Sequence, residues 1–344
     1  MRVVQLNTSP WAPRRAAWRP GEAADPRLLH RALAARGIAV EALDPHGLPW
    51  NPLAGRSPLL DGLDPLRALA VLARERRADL LLCWCEGPAF LPLLLRRACR
   101  YRPPVVLAEP ILSDTWWLRR VVLALTLRRA DGIIVLSSFQ REAIAARWGR
   151  QEGVEVVPQP IDTAFWRPAP PAPEGPVLAI GNDHSRDFAL LLDAFAGLEA
   201  DLLLKTSLIP PAQPLSARAS VLRACLGEAA LRDLYARSRF VVVPLRPSLN
   251  AGGVNSILEA AASGRAAVVS DNPAIRDYIR HEETCLVVPC GDRAAMRAAI
   301  ARLLAEPETC ARLGANARRL AERLAAEAPE RFAAALRRFA AAGR

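Results

Sequence analysis

Short apolar runs alternating with helix-length segments predict an α/β protein built as two doubly wound parallel-sheet domains joined by a short linker. Three observations carry that prediction. The alternation runs through the chain twice, and the strand-like runs are apolar throughout, as in sheets covered by helices on both faces. A proline-dense stretch, 167–176, breaks the rhythm once. The length agrees, because single cores stop growing at roughly 250–300 residues and this chain has 344.

Val3–Leu6 reads as the first strand, followed by a helix over Arg27–Arg36 with Gly37 as its C-terminal cap. Ile38–Leu43 is a second strand. Helices at Leu66–Arg76, Phe90–Cys99, Trp116–Arg128 and Gln140–Trp148 then alternate with strands at Leu80–Cys85, Val105–Ala108, Ile133–Leu136 and Glu155–Val157. Five prolines in 167–176 make a stiff linker. Beyond it come strands at Val177–Ile180, Leu202–Leu204, Phe240–Val243, Ala267–Ser270 and Cys285–Val288, with helices at Phe188–Leu198, Ala229–Arg237 and from Val254. Long Ala/Arg/Leu-rich helices fill 293–344. The expected organisation is a first domain over 1–166, the linker, a second domain over 177–325, and a C-terminal helix, 326–344, packing back on the first domain.

A hydrophobic fraction of 51% with 24% charged residues excludes wholesale disorder. No uncharged apolar run approaches the ~20 residues of a membrane-spanning helix. The start, Met1 to Asn7, runs into Trp and Pro rather than an apolar core with a cleavage site, so it does not read as a signal peptide. A cytoplasmic protein is expected, peripheral at most to the inner face of a membrane. Seven cysteines cannot pair completely, and neither Cys83/Cys85 nor Cys285/Cys290 has the two-residue gap of zinc or redox motifs. Buried free thiols fit a reducing compartment.

The charge is uneven. Residues 1–150 hold 23 basic and 13 acidic side chains, a net +10, out of +11 for the whole chain. Seven of the eight tryptophans lie there too: Trp11, Trp18, Trp50, Trp84, Trp116, Trp117 and Trp148. Such a half suits anionic lipid, nucleic acid or a phosphorylated acceptor. Equally, it reflects composition, since every basic residue except Lys205 is Arg. No recognition motif accompanies the basic half, which disfavours nucleic acid. Trp116 to Arg129, an apolar helix with Arg pairs and tryptophans at one end, reads either as a membrane-interface helix or as a half-buried helix of the first domain.

Three segments of the second half form a candidate anion site. Gly181 to Asp187, with His184 and Arg186, is a polar loop between a strand and a helix. Lys205 stands at a strand's carboxyl end. Gly252 and Gly253 open a helix through Val254, Asn255 and Ser256, where unpaired amides and the positive dipole end attract anions. Glu259 lies one turn further in, placed to accept ribose hydroxyls. A diphosphate with an attached ribose is the ligand these groups suggest.

The second half also resembles the donor domain of GT-B glycosyltransferases of the retaining family 4 type, which implies two doubly wound Rossmann-like domains facing a central cleft. The resemblance rests on Arg186–Phe195, on Leu231–Ser238 followed by Val241–Pro244, on Leu258–Arg265 with Val268–Asp271, and on Val287–Asp292. Ala130–Ser137 and Val156–Phe165 extend it, so it spans about residues 130–325 in order. It implies that Arg186 meets the donor diphosphate and that Glu259, the second Glu of a Glu-x7-Glu element, meets the ribose. The first Glu of that element is Ala251 here, Asn182 stands where an Arg often follows the first donor-domain Gly, and Glu109 replaces a His after the fourth strand. The usual glycine pair after the first strand is absent. Lys205 is the residue expected to compensate for Asn182.

The resemblance implies metal-independent, retaining transfer of a sugar from a nucleotide-diphosphate sugar, with Arg186, Lys205 and Glu109 as catalytic candidates and His184 as a further donor contact. No cofactor and no metal are expected, and the chain has no Asp-x-Asp. An anionic or lipid-linked acceptor and a peripheral membrane contact are the expected partners. The alternatives are a catalytically lapsed sugar-nucleotide-binding subunit and a sugar-nucleotide epimerase.

Overall fold

The structure, a computed structural model, describes residues 1–44, 64–112, 117–210 and 215–343. Trp50, Trp116 and His46 lie outside them. The chain divides into two compact units. The first comprises Met1–Trp18, Pro26–Pro158 and Glu327–Arg344, and the second Arg19–Asp25 and Gln159–Ala326.

The first unit holds strands β1 (Arg2–Leu6), β2 (Ala39–Leu43), β3 (Leu80–Trp84), β4 (Val105–Ala108), β5 (Gly132–Val135) and β6 (Val154–Val156). They form one parallel sheet in the order β2-β1-β3-β4-β5-β6. Its helices are α1 (Ala12–Ala17), α2 (Leu28–Ala34), α3 (Pro65–Arg74), α4 (Glu86–Leu95), α5 (Trp117–Arg129) and α6 (Ser138–Trp148). Local chemistry sets their ends: Asp64 caps α3 by accepting from the Arg67 amide at 2.9 Å, and Ser137 caps α6 from Gln140. The connections β2→β3→β4→β5→β6 all run the same way across the sheet. Right-handed crossovers therefore lay α3 to α6 on one face, packed in sequence. The other face is covered by α2 and by the chain's last helix, whose Phe332, Leu336 and Phe339 share a core with Val3, Leu33, Leu80 and Val106.

The second unit holds β7 (Val177–Ile180), α7 (Phe188–Phe195), β8 (Leu202–Lys205), β9 (Ala219–Leu222), α8 (Glu228–Arg237), β10 (Val241–Val243), α9 (Val254–Ala262), β11 (Ala267–Ser270), a 3-10 turn (Pro273–Tyr278), β12 (Leu286–Val288), α10 (Arg293–Ala305) and α11 (Pro307–Ala342), which ends in the first unit. Its parallel sheet runs β12-β11-β10-β7-β8-β9. The order reverses between β7 and β10, so the loops leaving those two strands part at a topological switch point, where doubly wound sheets bind ligands.

Several expectations differ from what is observed. Residues 167–176 lie within the second unit, which the chain enters at Gln159. The Pro170 carbonyl there accepts from buried Arg265 at 2.7 Å. Arg19–Asp25, early in the sequence, also belongs to the second unit: Glu228 accepts from the Ala24 amide and Arg232 donates to the Gly21 carbonyl. Helix α4 starts at Glu86 rather than Phe90, with Pro92 inside it. All seven cysteines are free; Cys83 is fully buried and Cys85 partly so.

Candidate functional site

Arg186 anchors the site. It leaves the loop after β7, and an isolated antiparallel bridge to Leu245 ties that loop to the one after β10. Its side chain is only 2% exposed. Nε donates to Asp183 Oδ2 at 2.7 Å and Nη2 to Ser256 Oγ at 2.9 Å, while the buried Nη1 has no partner among the described residues. Ser256 in turn donates to the Ile180 carbonyl at 3.2 Å, fastening α9 to the end of β7. Gly181 makes the approach feasible, since a Cβ there would overlap the guanidinium. Burial raises the Asp183 carboxyl, but the charge of Arg186 and the hydrogen bonds from Ser185 and Arg186 outweigh it. Asp183 is held below the usual carboxylate range.

The glycine loop behaves as its residue types dictate. Gly253 is the N-cap of α9 at φ +90°, a conformation that costs a side-chain-bearing residue about 1–2 kcal/mol. No side chain caps this helix; the Val254 amide donates to the Ala251 carbonyl at 3.2 Å, which leaves the next amides, of Asn255 and Ser256, as the ones an anion can reach. A Cβ on Gly252 would overlap Ser185 and come within 2.8 Å of Asp183 Oδ1, so the two loops meet at that glycine. Fully buried Asn272 braces the approach: it accepts from the Ser248 amide and donates to the Asn250 carbonyl, each at 3.4 Å.

Glu259 is half-buried on α9 and bonded from below: Tyr235, fully buried on α8, donates its hydroxyl to Glu259 Oε2 at 2.8 Å. Burial pushes the Glu259 carboxyl up to about 7, with the Tyr235 hydrogen bond pulling the other way. Burial, with the neighbouring Glu259 carboxylate, raises the Tyr235 hydroxyl well above its ordinary value, so it stays a donor. Lys205 ends β8 beside Ile180 in register and is 7% exposed. Asn182 Oδ1 accepts from Thr206, and from Ser207 at 2.8 Å through its amide. Val254 and Ser256 are buried, Asn255 is exposed, and His184 stands exposed at the loop tip.

The structure thus joins Arg186 to Ser256 by a hydrogen bond, sets Gly252 against Ser185 and Asp183, and places Glu259 one turn along the same helix. Lys205 ends the strand next to β7. Glu109 belongs to the other unit. There it follows β4 at φ +50°, beside Cys85 after β3 at φ +64°. Burial pushes Glu109 up to about 7. Its neighbour Glu86, 1% exposed, accepts from Arg119 at 2.8 Å and from the Ile111 amide at 3.1 Å. Four residues of the second unit escape a sequence reading: Asp183, Ser185, Tyr235 and Asn272. The short polar side chains between Gly181 and Arg186 were the one local signal for the first two.

Two family descriptions match the chain. Residues 25–165 match "Glycosyltransferase Family 4" and residues 177–306 match "Glycosyl transferases group 1". The chain belongs to the GT-B glycosyltransferases. Among solved structures, sucrose-phosphate synthase from Thermosynechococcus elongatus is similar at 19% identity and TM-score 0.72, over 94% of each chain. HepE of Anabaena, crystallised with UDP, is similar at 16% identity and TM-score 0.70, over 98% of this glycosyltransferase and 100% of HepE. A glycosyltransferase from Rickettsia africae is similar at 11% identity and TM-score 0.71, over 98% of each chain. At these identities the likeness is one of fold. No curated protein matches the chain by sequence.

Proposed function

We propose that this glycosyltransferase moves a sugar from a nucleotide-diphosphate sugar to an acceptor hydroxyl, with retention at the anomeric carbon and without a metal ion. The observation that carries the reading is the buried Arg186 guanidinium, locked by Asp183 and Ser256 with Nη1 unpaired among the described residues, beside the glycine start of α9 that no side chain caps. The bond from the anomeric carbon to the diphosphate oxygen breaks and the acceptor oxygen takes its place. The acceptor's proton passes to the departing diphosphate. Arg186, Lys205 and the α9 amides stabilise the growing negative charge, which is usually the largest catalytic effect. Glu259 accepts from the ribose hydroxyls. HepE has been crystallised with UDP-glucose as well as UDP, which supports a donor of this class.

Sugar recognition is assigned to Asp183. Ala251 cannot accept a hydroxyl, and Asp183 is the carboxylate that reaches the neighbouring Gly252. Glu109, titrating near neutrality, is the acceptor-side candidate, with an anionic or lipid-linked acceptor and a cytoplasmic setting. Ala251 also favours a second reading, a subunit that binds the donor without turning it over. Incubation with a panel of nucleotide sugars separates the two. Transfer or donor hydrolysis, unaffected by a chelator and lost in Arg186→Ala, supports the enzyme. Binding by calorimetry without turnover supports the subunit, and an epimerised donor points to an epimerase. No nucleoside-diphosphate binding at all sinks the donor site.

A further inference from the structure

The first unit exposes its large apolar side chains on one helical layer. Among the described residues, Trp117 is 68% exposed and Leu66, Leu69, Leu94 and Val121 are each about half exposed. All five lie on α3, α4 and α5, which pack side by side on one face of the sheet. On α5 the outward residues Trp117, Arg120, Val121 and Arg128 follow helical spacing, while Val122, Leu123, Thr126 and Leu127 on the opposite side are buried. Together with Trp148 of α6 these outward residues line an open groove of about 620 Å³.

The exposed charge on α3, α4 and α5 has one sign. Helices α3 to α6 contain two acids, Glu86, which is buried and paired with Arg119, and Glu142. Arg120 and Arg128 are exposed, and no carboxylate among the described residues pairs with either. An indole flanked by exposed guanidiniums, with aliphatic side chains on the neighbouring helices, has the chemistry of a bilayer interface. The ring sits at headgroup depth, Leu and Val meet the acyl boundary, and Arg meets lipid phosphate. No helix among the described residues is long and apolar enough to cross a membrane, so contact would be along the surface.

We propose that the outer face of α3, α4 and α5 docks the protein on an anionic phospholipid bilayer. A folded acidic protein or an RNA would match the arginines but would leave Leu66, Leu69 and Leu94 without an apolar partner.

Flotation of the full chain with phosphatidylcholine vesicles, with and without phosphatidylglycerol, tests this. Binding is expected on the phosphatidylglycerol vesicles alone, and it should weaken with salt. Each basic side chain near an anionic surface strengthens binding about fivefold. Arg120→Glu with Arg128→Glu should therefore reduce binding by at least about tenfold, and Trp117→Ser severalfold. Both variants should keep the wild-type melting temperature and bind nucleoside diphosphate as wild type does, which shows that the chain is folded. Three results would overturn the proposal: no flotation on anionic vesicles, equal flotation on phosphatidylcholine alone, or wild-type flotation of the charge-reversed variant. Tighter binding to RNA than to vesicles would overturn it too.

Discussion

The two units use arginine in opposite ways. In the second, Arg186 is buried and fixed by two side-chain hydrogen bonds, so its charge is aimed at one place. In the first, Arg120 and Arg128 are exposed with no carboxylate partner among the described residues, and their charges act over a surface. A buried guanidinium loses hydration, and Asp183 and Ser256 offset that loss only in one orientation. An exposed guanidinium keeps its water and is screened by salt. Net charge therefore says little about either role: the nearly neutral unit holds the buried, fixed guanidinium.

The largest expected break in that contrast is Arg186→Ala. Removing one fixed donor from a preorganised charge site typically costs about 10²–10³ in turnover. Asp183 would be left without its main partner, so donor affinity should fall as well. Arg120→Ala in the first unit should leave donor turnover in solution unchanged. Nucleotide-sugar turnover measured for both variants checks the contrast, and equal effects would erase it.

A smaller effect concerns Glu259. Its carboxyl lies near neutrality, and the ionised form is the better acceptor for ribose hydroxyls. Donor affinity should therefore rise, by up to about tenfold, from about pH 6 to about pH 8. A nucleotide-diphosphate sugar is the right probe, because its phosphates do not titrate there. Glu259→Gln should flatten the profile. Tyr235→Phe should move the inflection upward, because the Tyr235 hydroxyl stabilises the ionised carboxylate, and should weaken binding near pH 7 about threefold. An unmoved inflection would make Tyr235 a packing residue only.

The parallel strands were readable because each is a short apolar run bounded by turn residues, and the glycine loop because Gly252-Gly253 before an apolar helix has few other uses. Strand β9 was not: Ala219-Ser220-Val221-Leu222 is an edge strand with a polar residue and no strong period. The Tyr235–Glu259 bond joins residues 24 apart on two helices, and only the packing of α8 with α9 brings them together. The placement of Arg19–Asp25 in the second unit is likewise tertiary. Glu109 was readable as a departure from a motif, but its left-handed backbone was not, because a non-glycine residue there violates its own local preference.

That backbone sets up the smallest expected effect, and the one that best shows what the first unit retains for function. The Glu109 carboxyl is raised from 4.5 to about 7 by burial. Between those values the folded state keeps a proton that the unfolded chain has released, so stability falls as pH rises through the window and the full cost is present above about 7. Glu109→Gln carries no charge to bury. It should match wild type below about pH 4.5 and exceed it by about 1 kcal/mol above about pH 7, after discounting the shift for residual exposure. Glu109→Gly should add up to about 1 kcal/mol at any pH by relieving the positive φ. Melting curves at two pH values separate these contributions. If both variants gain stability and lose transfer, Glu109 is strained and desolvated for the acceptor's sake. If they gain stability and transfer is untouched, the acceptor is met elsewhere in the first unit.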